Sequence, residues 1–256
     1  MATDLELLEI EIETQWGVVD ARHRLVEERR PNARAALHLV VATSGDGQIA
    51  AVGADVPDAL AAELLEIVAG ATPSPDPATP PVALDRCARL LGQSLGPVEV
   101  ASSPSYVVPP GTAFESTAEI RRSDAGDVEA LRGLVTDRAN WSAEEWQSLL
   151  DGALGPWAVA TVGDRLGAIC HSARLAPRGA EAGVWTDPDF RGLGYAAAVT
   201  AAWAALLAPS GRHLFYSTSA DNRSSQRVAA RLRLRPIGWM WKIVRPRATL
   251  SEQVPA

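Results

Sequence analysis

Between Gly183 and Ala196 the chain reads Gly-Val-Trp-Thr-Asp-Pro-Asp-Phe-Arg-Gly-Leu-Gly-Tyr-Ala, and this run constrains the fold more than any other. A strand pattern over Ala182–Thr186 stops before Pro188, which cannot donate to a ladder. Arg191-Gly-Leu-Gly194 then turns directly into a helix over Tyr195–Leu207, where Val199, Ala202, Trp203 and Leu206 recur at helical spacing. Ala-Pro-Ser-Gly211 ends that helix. Glycines at 192 and 194 remove Cβ atoms, so main-chain amides can approach a bulky oxyanion. Those amides open a helix, where unpaired N–H groups and the macrodipole both favour negative charge. Arg191 adds a planar, permanently charged fork suited to phosphate oxygens. Strand, glycine turn with arginine, then helix predicts a pyrophosphate cradle.

A chain of 256 residues accommodates one large domain or two small ones. With 47% hydrophobic and 21% charged residues it can bury a core without disulfides or metal. Cys87 and Cys170 lie far apart and lack ligand spacing, so they read as reduced core thiols and no metal site is expected. The net charge of -7 argues against nucleic acid, which needs clustered cations. Lys242 is the only lysine, so nearly all the positive charge is arginine. Met1–Glu13 alternates acidic and apolar residues with no basic leader and no long apolar run. A cytoplasmic protein without a membrane segment is therefore expected.

The first region predicts a helix over 3–16, then a hairpin of His38–Thr43 and Gln48–Val56 across Ser-Gly-Asp-Gly. A helix over Pro57–Ala69, capped by Asp55, precedes the proline-rich Ala71–Pro81, which reads as an exposed linker or long loop. A helix over Val82–Leu95 and a strand over Val98–Ser102 follow. In the second region Ser123 and Asp124 are expected to cap a helix through Leu134. Ser142-Ala-Glu-Glu145 is a capping box opening the helix Trp146–Leu150. Strands are expected at Trp157–Val162, Leu166–Ala173 and Ala182–Thr186, then His213–Ser219 and Ile237–Val244, with a helix at Arg223–Leu232.

Arg191-x-x-Gly194-x-Ala196 resembles the Q/R-x-x-G-x-G/A signature of the GNAT superfamily of N-acetyltransferases, and the surrounding order of elements is similar from Ile120 to Val244. The resemblance implies an α/β (α+β) fold, a splayed mixed sheet flanked by helices, over residues 116–250. Residues 1–115 would form an additional smaller α/β domain that shapes the acceptor site or is a degenerate acyltransferase-like copy. It implies acetyl-CoA as acyl donor and a primary amine as acceptor, with a homodimer left open. Its cradle would be Arg191, Gly192, Leu193, Gly194, Tyr195 and Ala196, with Val184, Trp185 and Thr186 pairing with pantetheine and Asn222 and Ser225 at the next helix start. The chain departs from the pattern where a tyrosine commonly serves as general acid, which here is Ala229, and where Gly-Phe is usual, which here is Arg233-Leu234.

Acetyl transfer needs a neutral amine, hence a general base near the acyl carbon. Two candidates lie on adjacent strands, His171 and Glu181. An imidazole ordinarily titrates near neutrality, whereas a carboxylate must be buried to do so. Tyr216, Ser217, Ser219 or Tyr106 would replace the missing acid. Trp141 and Trp146 are candidates to line an acceptor pocket, and the other tryptophans read as core. Two other readings compete: Gly192-x-Gly194-x-x-Ala197 also fits a loose dinucleotide fingerprint, without the acidic residue that should follow. Ala229 also suits a non-catalytic acyl-CoA sensor.

Overall fold

Local chemistry opens the first helix: the side chains of Thr3 and Glu6 satisfy each other's orphan amides, and α1 (Asp4–Trp16) follows. The computed structural model describes residues 2–28, 36–125, 128–134 and 142–246. After α1 come the short strands β1 (Gly17–Val19) and β2 (Leu25–Glu28), then the hairpin β3 (Leu37–Ser44) and β4 (Gly47–Val52). Helices α2 (Asp58–Ala69) and α3 (Leu84–Leu95) precede β5 (Glu99–Val107). Next are β6 (Glu119–Arg122), α4 (Glu129–Arg132), α5 (Ala143–Leu150), β7 (Trp157–Val162), β8 (Arg165–Leu175) and β9 (Gly179–Thr186). The order closes with α6 (Tyr195–Leu207), β10 (His213–Ser217), α7 (Arg223–Arg231) and β11 (Arg235–Val244).

Two units emerge: residues up to Ser105 together with those from Ile237 onward, and Tyr106–Pro236. The sequence places a boundary near 115 and the last strand in the second domain; in the structure β11 pairs antiparallel with β3, from Trp239↔Thr43 to Val244↔Leu37. In the first unit the strand order is β4-β3-β11-β5. All of β3 is buried. Leu39 and Val41 pack with Leu64, Cys87 and Leu91 of α2 and α3, and α1 also packs against this strand. Burial pushes the Cys87 thiol up to about 11.

The second unit has the order β10-β9-β8-β7-β6. Neighbours are antiparallel except β9 and β10, which run parallel, so the sheet is mixed. Helix α6 packs close on one face because Ala158, Ala160, Ala168 and Cys170 are small there, and Trp203 Nε1 donates to Ser172 Oγ at 3.0 Å. On the other face Trp157, Val159 and Ile169 pack with Trp146 and Leu149. No helix among the described residues is long and apolar enough to cross a membrane.

Several local expectations change. Asp55 does not cap α2, whose N-cap is Pro57 without a side-chain bond; its carboxylate instead takes Arg245 at 3.1 Å. Ser123 and Asp124 do not cap a helix, because Ser123 Oγ accepts the Trp157 amide and Asp124 pairs with Arg122. The proline-rich loop is tied down at Pro77, whose carbonyl accepts from Thr43 Oγ1 at 2.9 Å and Trp241 Nε1 at 3.3 Å. Trp146 is core rather than pocket, 2% exposed with Nε1 donating to the Leu131 carbonyl. Trp141 lies outside the described residues.

Two expectations follow for stability. Gly238 holds φ at 149°, and a Cβ there would stand 2.1 Å from the Thr43 carbonyl oxygen; Gly238→Ala should cost about 3 kcal/mol or more in urea unfolding. Because the folded Cys87 thiol titrates higher than the unfolded one, its contribution is complete below about pH 9 and is lost as pH rises toward about 11. Cys87→Ala should flatten that alkaline decline in the midpoint of thermal unfolding.

Candidate functional site

The site begins where a ladder ends. β9 and β10 pair only from Gly179↔His213 to Glu181↔Phe215, although β9 runs on to Thr186 with β8 still paired along its other edge. Beyond Glu181 the two strands part, and Val184, Trp185 and Thr186 line a cleft of about 490 Å³ whose other wall includes Tyr216 and α7.

The turn leaving β9 is anchored from behind. Asp187 is buried, its amide donates to the Gly167 carbonyl at 2.9 Å, and its carboxylate accepts from the Asp189 amide. Arg165 reaches both carboxylates, at 3.5 Å and 2.7 Å, with its guanidinium 4.5 Å from the centre of the Phe190 ring. A short 3-10 turn over Pro188–Phe190 then delivers Arg191. Gly192 and Gly194 sit at φ 85° and 89°, in the left-handed region that glycine adopts without strain. Gly194 is the N-cap of α6 and carries no side chain to occupy the first-turn amides. Its missing Cβ also leaves room for Phe114, whose Cε1 would lie 2.9 Å away. From across the cleft Arg231 Nη1 donates to the Gly192 carbonyl at 3.2 Å.

Of the residues expected to bind the donor, Val184, Trp185, Thr186, Arg191, Gly192, Gly194, Tyr195, Ala196, Asn222 and Ser225 line this one cleft. Leu193 is not among them and is 58% exposed. Asn222 caps α7 through the Ser225 amide at 3.1 Å. Sequence reasoning passed over Arg227 and Arg231, which also line the cleft. Their spacing with Arg223, every fourth residue of a helix, is the signal that would have found them. The lining holds arginines 191, 227 and 231 and no carboxylate, in a chain of net charge -7.

The chemical candidates divide. Tyr216 lines the cleft, with its hydroxyl 2.7 Å from Ser225 Oγ, and burial holds its phenol well above the usual range. His171 and Glu181 stand outside the cleft lining. His171 pairs with Gly183, and its ring occupies the space a Gly183 side chain would need, 2.5 Å from Cε1 to an added Cβ. Glu181 is 6% exposed, and its Oε1 accepts from the Ser217 amide at 2.8 Å and from Ser217 Oγ at 2.7 Å. Ser219 engages Asp221, whose carboxyl it holds below the usual range. Burial raises the Tyr106 phenol as well. Among the described residues no group of His, Cys, Asp and Glu is arranged to hold a metal.

A family of acetyltransferase (GNAT) domains matches residues 112–235. Among solved structures the chain is similar to a GNAT-family acetyltransferase from Colwellia psychrerythraea, with 15% identity, 64% of this chain and 63% of that one covered, and a TM-score of 0.45. It is similar to a GCN5-related N-acetyltransferase from Sphaerobacter thermophilus, with 19% identity, coverage of 66% and 60%, and a TM-score of 0.44. A third, a GCN5-related N-acetyltransferase from Kribbella flavida, has 18% identity, coverage of 64% and 65%, and a TM-score of 0.43. The match spans less than two thirds of each of these chains. No curated protein matches.

The two loop glycines should respond differently to alanine. A Cβ at Gly192 meets nothing within 4 Å, so Gly192→Ala should cost only the positive-φ strain, about 1 kcal/mol. Gly194→Ala adds the Phe114 collision and should cost about 2–4 kcal/mol. In a double-mutant cycle, Phe114→Ala should recover part of the second loss and none of the first.

Proposed function

We propose, from the match of residues 112–235 to acetyltransferase (GNAT) domains, that the protein transfers acetyl from acetyl-CoA to a primary amine of a small molecule. The observation that carries the reading is the cleft at the parting of β9 and β10. Glycine-turn amides, three arginines and a free strand edge converge there without a carboxylate. The amides and Arg191 suit the pyrophosphate. The edge of Val184–Thr186 suits the pantetheine amides, which would pair with it as an added strand.

The amine nitrogen attacks the thioester carbonyl, and the tetrahedral oxyanion is stabilised by a main-chain amide of the Val184–Thr186 edge. Collapse breaks the C–S bond; one nitrogen proton passes to a base and the thiolate takes a proton from an acid. We assign the base to His171, whose ring lies over Gly183 beside the strand edge, and the acid to Tyr216. The Tyr216 hydroxyl lines the cleft and, with its pKa raised by burial, carries its proton at neutral pH. Exchange with water restores both groups. Two buried free thiols fit a reducing, cytoplasmic setting.

Calorimetry with acetyl-CoA, CoA and NADH tests the donor. Micromolar binding of acetyl-CoA, about -7 to -8 kcal/mol, is expected, with strong loss in Arg191→Glu. Binding of NADH without either CoA species would sink the reading. With an amine panel, His171→Asn should lower kcat by about 10²–10⁴ while acetyl-CoA affinity holds. A second reading, a non-catalytic acyl-CoA sensor, draws on Ala229, which is buried where a tyrosine is usual. Tight acetyl-CoA binding without turnover of any amine would favour it.

A further inference from the structure

The divergence of β9 and β10 has a chemical agent on the page. In β10 the Leu214 carbonyl accepts from the Val108 amide, so Leu214 faces away from β9 while Phe215 and Ser217 face toward it. The Ser217 amide is therefore the donor that the next rung of the parallel ladder would use. It donates instead to Glu181 Oε1 at 2.8 Å, and the same oxygen accepts the Ser217 hydroxyl at 2.7 Å. The last paired residue of β9 is Glu181 itself. A side-chain oxygen thus stands in for a main-chain carbonyl, and the pairing goes no further. Because one oxygen of Glu181 accepts both the amide and the hydroxyl of Ser217, the substitute occupies that donor and the ladder does not continue.

We propose that Glu181 is a positioning residue that fixes where β9 and β10 part, and so keeps the edge of Val184–Thr186 open for the donor's pantetheine amides. The proposal rests on the reading of the cleft as an acyl-CoA site. It separates the two groups that sequence reasoning offered as bases: His171 moves a proton, and Glu181 builds the opening.

Glutamine at 181 keeps an oxygen that can accept both Ser217 donors, whereas alanine removes it. Glu181→Ala should raise the Kd and KM for acetyl-CoA about tenfold with a smaller change in kcat, and Glu181→Gln should restore both to within about threefold of wild type. Amide exchange supplies a readout that needs no ligand: Ser217 N–H should be protected in wild type and Glu181→Gln and fast in Glu181→Ala. A fall in kcat in Glu181→Gln with acetyl-CoA affinity intact would make Glu181 the base and overturn the proposal. Full affinity in Glu181→Ala would overturn it too. If Glu181→Ala fails to fold, the Gln variant decides alone, since retained kcat, KM and Ser217 protection are what positioning requires. Wild-type protein that binds no CoA species overturns the donor reading and this role with it, while protection of Ser217 would still report the hydrogen bond.

Discussion

Every feature of the candidate site depends on the point at which β9 loses β10. A sheet edge is normally a liability, because unpaired amides and carbonyls invite another strand. Here the edge is internal: β9 stays paired with β8 from Ala180 to Thr186 while its other side opens past Glu181. The cleft is thus lined by main chain that is rigid on one side and available on the other. That combination suits an extended ligand carrying amides of its own. The glycine turn then places α6 amides at one end of that edge, and α7 brings arginines to the same cleft.

Much of this was legible in residue order. The cradle could be read because glycine, proline and arginine each do one physical thing at 188–194, and α6 because its apolar spacing is helical. Ser142 and Glu145 announced α5, and their capping box is present as expected. Short elements were not legible: β1, β2 and β6 have three or four residues each, too few for alternation to show. Helical spacing places Arg223, Arg227 and Arg231 on one stripe but does not say what that stripe faces. Asp55 satisfies the composition rule for a cap, yet Arg245, 190 residues away in sequence, takes its carboxylate.

The functional candidates show the same division. Glu181 and His171 stood out as titratable groups on adjacent strands, and their chemistry alone left them interchangeable. Their surroundings differ. One carboxylate oxygen already accepts an amide and a hydroxyl, whereas the imidazole occupies a space that only a glycine opposite leaves open. Of Tyr106, Tyr216, Ser217 and Ser219, only Tyr216 lines the cleft, and the Ser217 and Ser219 hydroxyls serve carboxylates.

The return of β11 to the first unit carries a consequence for biogenesis. β11 lies between β3 and β5 in the strand order of that unit, yet 127 residues separate the end of β5 from the start of β11. During synthesis β3 and β4 emerge early and must wait, with one edge of β3 unpaired, until nearly the whole of the second unit has left the ribosome. The long loop closure that joins β11 to β3 makes the first unit the slower to be completed although it begins first. Nascent chains halted before Ile237 should accordingly hold an intact second unit beside an unfinished first one, and that interval is when a chaperone would find an exposed strand to hold.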